Sequence, residues 1–574
     1  MNPDTSTPTG ICAPAPRSWR RWCWLLAMLI AGKVLYMAFF LTPPGDMPDE
    51  SGHYSYVRDI AHGKFFPLLG EATIPKDLWF DRLPEPERST TSEDQLLDLA
   101  DTADGDQPSV QLSDLSRRKP RSSSRPNYIV QHPPLYYIAA AIPFAVTEQL
   151  TPDRWYHIRA ARIVSALSLG LLVVVLFSTM GDLGVSPARA LPLAAAVGFI
   201  PMISHLSSGI TNDIFLFLMC ALATRYLVRF LLAHRMPDAY LCALWLTLAG
   251  GTKMTAWPMI AGFLAILLYE LRQPLRRWFL HAGGITLVTL VLPMWWALRN
   301  VYYFGNPMQI NVVTNPPLFL NYTVIDYLKA QPFLDWMMVH SYGLIGFAGF
   351  CQNPRTMGDC VGVHSTRIGN QAFEFVLLTL AVMAAAMVVH TLYHYARQFR
   401  SAPPATPMSI QGWVARAVRP GWARGGLLLL LGAAGILLYA WAMINVHREG
   451  ELGWIINTVA LSAIVVALFG TGIALFDDQG SRRFVYYALA LFFCYGLLIA
   501  YQSHKAYVLV AELRGVQGRY FYPFLPMLFA SIALVLERLR VPAFLLLWMS
   551  AGFIWGELHS YIDQVIPFFE AVRI

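Results

Sequence analysis

The sequence predicts an all-α polytopic membrane protein, a bundle of about 13 transmembrane helices with outer juxtamembrane helices. Three observations indicate this class. Hydrophobic residues make up 56% of the 574 residues and charged residues only 14%, which is too apolar for a soluble globular protein of this length. Many apolar runs reach the roughly 20 residues that a helix needs to cross a bilayer. The runs are continuous rather than alternating, which disfavours a transmembrane β-barrel.

Positive charge predicts the orientation of the chain. The stretch "RSWRRW" precedes the first apolar run, so residues 1–22 are predicted to be a cytoplasmic tail and residues 23–42 a retained first transmembrane helix. Residues 132–150 hold a short apolar run cut by Pro143, and we predict that they lie at the outer surface rather than cross. This choice places four Arg-rich segments in the cytoplasm: "LRQPLRRW", residues 397–424, "GSRRF" and "ERLR".

The same topology predicts how the chain is organised. Residues 43–162 form an outer loop with juxtamembrane helices and a mobile segment at 84–127, which is rich in Ser, Asp, Arg and Pro. Residues 163–299 form a transmembrane bundle, 300–371 a second outer loop, and 372–574 a C-terminal transmembrane bundle. The spans predicted after the first helix are 163–181, 190–209, 213–233, 238–252, 255–270, 282–299, 372–396, 425–445, 454–476, 483–502, 519–537 and 541–558.

The cysteines show no metal-binding spacing. Of the seven, only Cys351 and Cys360 lie close together in a loop, in "GFCQNPRTMGDC". If that loop faces an oxidising compartment, as the topology predicts, we expect the two to form a disulfide.

Acidic residues stand at the outer membrane face in two distant parts of the chain. Asp49 and Glu50 follow the first span, where Pro48 suits the first position of a helix. They either complement the dipole of that helix or do chemistry. Asn212 and Asp213 join two later spans and are predicted to lie on the same face, where a carboxylate is either hydrated or part of a shared cavity.

Basic residues are predicted at the same face, where the positive-inside bias would not place them. Lys253, Arg299, Arg514 and Arg519 all fall at outer ends of spans. Each is explained singly by snorkelling or a salt bridge, whereas several around one cavity would suit a phosphate. Arg159 and Arg162 open another span, where they either pair with the acids, hold phosphate or anchor the helix. Lys33, within the first span, has no evident role.

Several of these stretches, in this order, resemble motifs of the GT-C superfamily of membrane glycosyltransferases. The sequence looks most like a bacterial branch of predicted membrane proteins whose first loop reads like "PDEPAHF", and is more distantly similar to protein O-mannosyltransferases and aminoarabinose transferases. It departs from the branch at Ser51-Gly52, where Pro-Ala is usual. The stretches are "PDESGHYSYVRDIAHGKFFP", "QHPPLYY", "ND" at 212–213, "GGTKMTAWP", "RNVYYFGNP" and "GRYFYPFLP".

The resemblance implies a GT-C-like bundle with a cavity at the outer leaflet and a sugar donor on a polyprenyl phosphate. It implies a glycosyltransferase that acts at the outer (periplasmic) face of the bacterial inner membrane on a glycan, lipid or protein acceptor, in contact with membrane lipids. The first-loop acid Asp49, with Glu50 beside it, and the second acid Asp213 would be the catalytic residues. The donor phosphate would meet Lys253, Arg299, Arg514 and Arg519, and the cavity would be lined by His53, Tyr54, Arg58, His132, Arg159, Arg162, Asn212 and Tyr520.

Two questions stay open at this stage. A Mg²⁺ or Mn²⁺ ion bridged by Asp49 and Asp213 could replace part of the cation cluster, because some GT-C relatives use a metal and others do not. The alternative function is a transporter or flippase for a lipid or lipid-linked glycan, which shares many spans and intramembrane charge. Against it stand the absence of an internal repeat and the gathering of charge at one face. No nucleic-acid partner is expected.

Overall fold

The structure is a computed structural model, which describes residues 15–42, 47, 49–74, 125–272, 274–307, 322–330, 337, 344–346, 365–367, 434–435, 470, 476, 478–510 and 518–566. Some predictions fall outside these residues. They concern Pro48, Arg514, the Cys351–Cys360 disulfide, most of segment 84–127, and all or most of the spans at 372–396, 425–445 and 454–476.

The described residues are mainly helical. The helices are α1 (Arg17–Tyr36), α2 (Glu50–Ala61), α3 (Leu135–Leu150), α4 (Arg154–Asp182), α5 (Pro187–Val197), α6 (Pro201–Ser207), α7 (Asn212–Ala233), α8 (Met236–Gly250), α9 (Trp257–Leu271), α10 (Leu275–Phe304), α11 (Val324–Ala330), α12 (Gln479–Val510), α13 (Leu525–Arg538) and α14 (Ala543–Ser560). A π-helical turn, Met37–Leu41, continues α1, and another, Tyr561–Val565, follows α14. Three 3₁₀ turns, Tyr128–Gln131, Met254–Ala256 and Gly518–Phe524, precede α3, α9 and α13.

Two short antiparallel strand pairs complete the described elements. Strand β1 (Thr73–Ile74) pairs with β2 (Arg125–Pro126), with Thr73 opposite Pro126. Strand β3 (Leu344–Gly346) pairs with β4 (Ser365–Arg367). The first pair joins the end of the α2 region to the segment that leads into α3, so it brings two distant parts of the predicted outer loop together.

The predicted class, an all-α polytopic membrane protein, is confirmed. Within the described residues, seven helical segments are long and apolar enough to cross a membrane, and the pair α5–α6, bent by 65°, would make an eighth if it is one span. The seven are Arg17–Leu41, Arg154–Asp182, Asn212–Ala233, Met254–Leu271, Leu275–Phe304, Gln479–Leu509 and Gly518–Arg538. Helices α8 and α14, where spans were predicted at 238–252 and 541–558, are not among them, and neither is α3.

Several helices extend beyond the predicted spans. Helix α1 begins at Arg17 rather than at residue 23, and α10 runs over Leu275–Phe304 rather than 282–299. Arg and Leu have high helix propensity, so the helix continues through the polar ends of the apolar run. Hydropathy therefore predicts where a helix crosses but not where it ends.

Helix α4 lies at the centre of the described bundle. It packs against α1, α3, α5 and α7, while α7 packs in turn against α8 and α12. A second, smaller hydrophobic cluster joins α2 to α3 and includes Tyr56, Tyr137 and Phe144, all fully buried. This cluster fixes α2, which begins directly after Asp49, against the bundle.

The lysine of the first helix, which is partly buried, has a defined environment. Lys33 Nζ donates to Gly198 O at 2.7 Å and to Ser204 Oγ at 2.9 Å, and lies 2.6 Å from Glu557 Oε2. Gly198 lies at the bend between α5 and α6, and Glu557 belongs to α14. Lys33 thus ties the first helix, the bent pair and the C-terminal helix together.

Candidate functional site

Arg519 lies between the two carboxylates that the sequence singles out. Its Nη2 is 3.9 Å from Asp49 Oδ2, and its Nη1 is 3.8 Å from Asp213 Oδ2. Lys253 Nζ donates to Asp213 Oδ1 at 2.5 Å. Two acids and two cations from distant parts of the chain therefore meet at one place. We call Asp49, Asp213, Lys253 and Arg519 the charged cluster.

Asp49 is the accessible member of the charged cluster. Its side chain is 31% exposed, against 7% for Asp213, 8% for Lys253 and 9% for Arg519. It precedes α2 with a φ of 64°, in the left-handed region, which Asp tolerates better than most residues. Asp49 therefore lies before the helix. With Pro48 at the first helical position, the sequence instead predicts Asp49 inside the first turn. The Tyr128 hydroxyl donates to Asp49 Oδ1.

A close approach of two backbones places Tyr128 beside Asp49. Asn127 Nδ2 donates to Gly52 O at 3.0 Å, and Asn127 Oδ1 accepts from Ile129 N at 3.0 Å. A Cβ at Gly52 would lie 2.7 Å from Ile129 Cγ1, closer than real contacts allow. Gly52, one of the two departures from the usual Pro-Ala, therefore lets the segment that carries Tyr128 dock on α2.

Asp213 is fixed by the start of α7. Thr211 caps that helix, because its Oγ1 accepts from Asp213 N at 3.2 Å. In the first turn the carboxylate also meets the positive end of the helix dipole. With Lys253 and Arg519 as partners, Asp213 is a buried, fully compensated anion that orients both cations.

Glu50 and Arg162 form a buried pair beneath the charged cluster. Arg162 Nε and Nη2 donate to Glu50 Oε1 and Oε2 at 2.8 and 2.7 Å. Arg162 Nη1 also donates to the carbonyls of Ala38 and Thr42, both at 2.8 Å. Glu50 Oε1 also accepts from Ile210 N at 2.9 Å. The pair links the end of the first helix, the start of α2 and the loop before α7, a placement that suits positioning rather than contact with substrate.

Behind the charged cluster, the Tyr137 hydroxyl connects two buried side chains. It lies 2.9 Å from His53 Nδ1 and accepts from Asn212 Nδ2 at 3.1 Å. Burial, helped by the nearby charge of Lys253, lowers the pKa of His53 to about 3. The same two causes lower the pKa of His132 well below its usual range. Both imidazoles are therefore neutral at physiological pH.

Three buried polar atoms in this region have no hydrogen-bond partner within the described residues: His132 Nδ1, Asn212 Oδ1 and Arg519 Nε. Buried polar groups are nearly always hydrogen-bonded. These three atoms therefore have hydrogen-bonding capacity left for a water molecule or a ligand. Among them, the donor Arg519 Nε would match a phosphate oxygen, and the acceptor Asn212 Oδ1 would match a hydroxyl.

Of the remaining predicted residues, Tyr520 lies beside Arg519, whereas Arg299 and Tyr54 contact groups outside the charged cluster. Arg299 Nη2 donates to Phe66 O and Pro67 O, both at 3.0 Å, and its guanidinium stacks on the Trp296 ring. It therefore holds the loop after α2. Tyr54 is buried with its ring 5.6 Å from that of Phe144.

Arg159 lies over the Tyr156 ring. Arg58 lies in the last turn of α2. Tyr520 follows Arg519 in the 3₁₀ turn before α13. Sequence reasoning missed Tyr137, which lies within the motif "QHPPLYY", and Tyr128, three residues before it, because a tyrosine beside an apolar run is also typical of plain packing.

The arrangement does not fit a bridging metal ion. The guanidinium of Arg519 occupies the space between the Asp49 and Asp213 carboxylates. Among the described residues, no three His, Cys, Asp or Glu side chains are grouped so as to hold a metal. A Mg²⁺ or Mn²⁺ ion on both carboxylates would have to displace Arg519.

Comparison with known proteins gives a family and two distant structural likenesses. The family model described as "Predicted membrane protein (DUF2142)" matches residues 34–334. No curated protein matches the chain. Two crystal structures of ArnT from Cupriavidus metallidurans are similar, one in the apo state and one bound to undecaprenyl phosphate, at 14% and 15% identity. They cover 91% and 90% of this chain and 78% and 77% of those chains, with TM-scores of 0.32.

Proposed function

The chain belongs to the DUF2142 family of predicted membrane proteins, and on that premise we propose that it is a GT-C-like integral-membrane glycosyltransferase. It moves a sugar from a polyprenyl-phosphate donor to an acceptor at the outer, periplasmic face of the bacterial inner membrane. The observation that carries the proposal is the charged cluster itself. An accessible carboxylate, Asp49, lies beside two buried cations that a second carboxylate, Asp213, holds in place.

Asp49 is the general base of the proposed reaction. It accepts the proton of an acceptor hydroxyl while that oxygen attacks the anomeric carbon of the donor sugar. The bond from that carbon to the phosphate oxygen breaks, and its electron pair leaves with the lipid phosphate. Tyr128 donates to Asp49 Oδ1, which orients the carboxylate and directs Oδ2 to the proton. We assign the base to Asp49 rather than to Asp213 because the Asp49 side chain is partly exposed, whereas that of Asp213 is buried.

Arg519 and Lys253 meet the charge that develops on the leaving phosphate. Preorganised cations in a buried site stabilise such charge without reorganisation. The unpartnered Arg519 Nε is a donor available to a phosphate oxygen. Arg519 also occupies the place that a bridging metal would need, so we propose that the cations of the chain do this work without Mg²⁺ or Mn²⁺. The proposed role of Asp213 and of the Glu50–Arg162 pair is to position these groups.

An Asp49→Asn variant tests the proposal. It is expressed in a bacterial strain whose own copy of the gene is deleted, and envelope glycans and lipids are compared by mass spectrometry. We expect the sugar modification that wild-type protein restores to be lost in Asp49→Asn at an equal protein level. Asp59→Asn, the same change on α2 outside the charged cluster, is the matched control and should restore it.

Two outcomes would overturn the assignment. A restored modification in Asp49→Asn would show that the carboxylate is not the base. If neither deletion nor Asp49→Asn changes any glycan, while lipid distribution between the leaflets shifts, the protein is a transporter or flippase instead.

A further inference from the structure

A pocket lies at the far end of α9 from the charged cluster. It has a volume of about 300 Å³ and lies between α9 and α12. Lys253 precedes α9 and Arg272 follows it, so a helical rise of 1.5 Å per residue separates the pocket from Lys253 by roughly 25 Å. The predicted topology puts this end in the cytoplasm. The lining residues are Tyr269, Arg272, Arg483, Tyr486 and Tyr487.

One guanidinium of the pocket is held by a buried carboxylate. Glu270 is buried and accepts from Arg483 Nη1 at 2.7 Å and from the Tyr487 hydroxyl. Arg483 Nη2 also donates to Gln479 Oε1 at 3.2 Å. Both oxygens of Glu270 thus have donors, so the carboxylate is shielded while the Arg483 side chain, 44% exposed, keeps part of its fork open.

The second guanidinium belongs to Arg272, at the end of α9. Arg272 lies 3.5 Å above the centroid of the Tyr269 ring, and its Nη1 donates to Tyr269 O at 2.7 Å. Stacking on an aromatic ring leaves the edge of a guanidinium available for a planar acceptor. Two arginines, one from each helix, therefore flank the opening.

The opening is aromatic as well as cationic. Tyr269 is 52% exposed and Tyr486 is 49% exposed. Tyrosine is typical of the membrane–water interface, where its ring meets acyl chains and its hydroxyl meets headgroups. A pocket of this size admits a headgroup but not a whole lipid. Arg276, Arg277 and Arg482 lie close by in the sequence but do not line the pocket.

We propose that this pocket binds the phosphodiester headgroup of an anionic phospholipid, such as phosphatidylglycerol, from the cytoplasmic leaflet. The arginines bind the phosphate as bidentate donors, and the tyrosines pack on the glycerol and the first acyl carbons. Basic pockets between transmembrane helices on the cytoplasmic side bind anionic headgroups in this way. The site is separate from the charged cluster, so it does not depend on the glycosyltransferase proposal.

Native mass spectrometry of the full-length protein in detergent tests the site. Equal amounts of phosphatidylglycerol and phosphatidylcholine are added, and the ratio of the two bound lipids is measured. We expect wild-type protein to retain phosphatidylglycerol preferentially. The double variant Arg272→Gln, Arg483→Gln should lose about thirtyfold of that preference, because each arginine near an anionic headgroup contributes of order 1 kcal/mol.

A matched control removes the same charge without touching the pocket. Arg276→Gln, Arg482→Gln neutralises the two neighbouring arginines and should keep the preference for phosphatidylglycerol. An equal loss in this control would show general electrostatic attraction and overturn the site. So would equal binding of the two lipids to wild-type protein. Displacement of phosphatidylglycerol by millimolar inorganic phosphate would assign the pocket to a free anion instead.

If the double variant fails to fold, a single variant still tests lipid binding by the pocket. Arg483→Gln strips a donor from the buried Glu270, whereas Arg272→Gln removes contacts only to its own neighbour Tyr269. The single Arg272→Gln variant, checked by size-exclusion chromatography, should by itself reduce the lipid ratio about fivefold. An unchanged ratio in that variant would contradict the proposal.

Discussion

Lys253 donates a 2.5 Å hydrogen bond to Asp213 although 40 residues separate them in the chain, and both side chains are more than nine-tenths buried. Removal of Asp213 would leave the Lys253 ammonium buried without its nearest anion. This relationship joins the stability of the protein to the chemistry proposed for it, because the lysine that compensates Asp213 is also a cation offered to the phosphate.

The first prediction concerns this pair. Asp213→Asn should lower the free energy of unfolding by about 3 kcal/mol, because it leaves Lys253 buried without its anion. The double variant Asp213→Asn, Lys253→Met should recover most of that loss in thermal unfolding in detergent. Transferase activity should be absent in both. A double variant that is active would show that Lys253 does not meet the phosphate.

The second prediction concerns the geometry of Arg519. Arg519→Lys keeps the charge but replaces the planar guanidinium, whose two Nη atoms face Asp49 and Asp213, by one ammonium nitrogen. That nitrogen cannot reach both carboxylates together. We expect a rate loss of roughly a hundredfold with a change in melting temperature of only a few degrees. Arg189→Lys, whose arginine pairs with Glu537 elsewhere in the bundle, is the control. Equal activity in Arg519→Lys and wild type would contradict the role.

Much of the charged cluster was predictable because the positions of the apolar runs fix which residues lie near a membrane face. A residue at the end of an apolar run must lie near a membrane face, so Asp213, Lys253 and Arg519 could be assigned to one depth before any contact was known. Their mutual contact was not predictable in the same way. Arg299 satisfies the same rule, yet it binds the carbonyls of Phe66 and Pro67, since the path of that loop follows no periodicity.

Glu50 shows why adjacency in sequence misleads at a helix start. Asp49 and Glu50 are consecutive, and both were predicted as catalytic. Asp49 has left-handed backbone torsions and Glu50 begins the helix, so one carboxylate is partly exposed beside Arg519 and the other is buried on Arg162. Because the torsions of single residues set this divergence, no pattern of residue types could have predicted it.

The third prediction concerns Gly52. Gly52→Ala adds a methyl group 2.7 Å from Ile129 Cγ1 and should destabilise the protein by about 1–3 kcal/mol, as overpacking does. It should also reduce activity, because it shifts the segment that holds Tyr128 against Asp49. The double variant Gly52→Ala, Ile129→Ala removes the clash and should restore activity in part. A fully active Gly52→Ala would contradict the docking of this segment.

The fourth prediction concerns pH. His53 has a pKa of about 3 in the folded protein and about 6.5 when unfolded, so between these values the unfolded state binds more protons. Stability should therefore fall as the pH drops below 6.5, by about 2 kcal/mol at pH 5 from this group. His53→Gln, which keeps a polar partner for Tyr137, should show a smaller drop in melting temperature between pH 7.5 and pH 5. Equal drops in the variant and in wild type would exclude His53 as a source.

The fifth prediction concerns the ion pair of Lys33 and Glu557, which explains a charge that hydropathy leaves without a role. Glu557→Gln leaves the partly buried Lys33 ammonium without its carboxylate at the bend between α5 and α6 and should lower stability by about 3 kcal/mol. Replacing both by Met should recover most of it, because buried ion pairs exchanged for apolar groups of similar volume are often neutral. Gly198 O keeps a donor in that variant, Ser204 Oγ at 3.2 Å.

Since α6 leads directly to the loop before Asp213, activity should follow stability across the series. A double Met variant as unstable as Glu557→Gln would show that the pair itself, rather than relief of an unpaired charge, holds the three helices together.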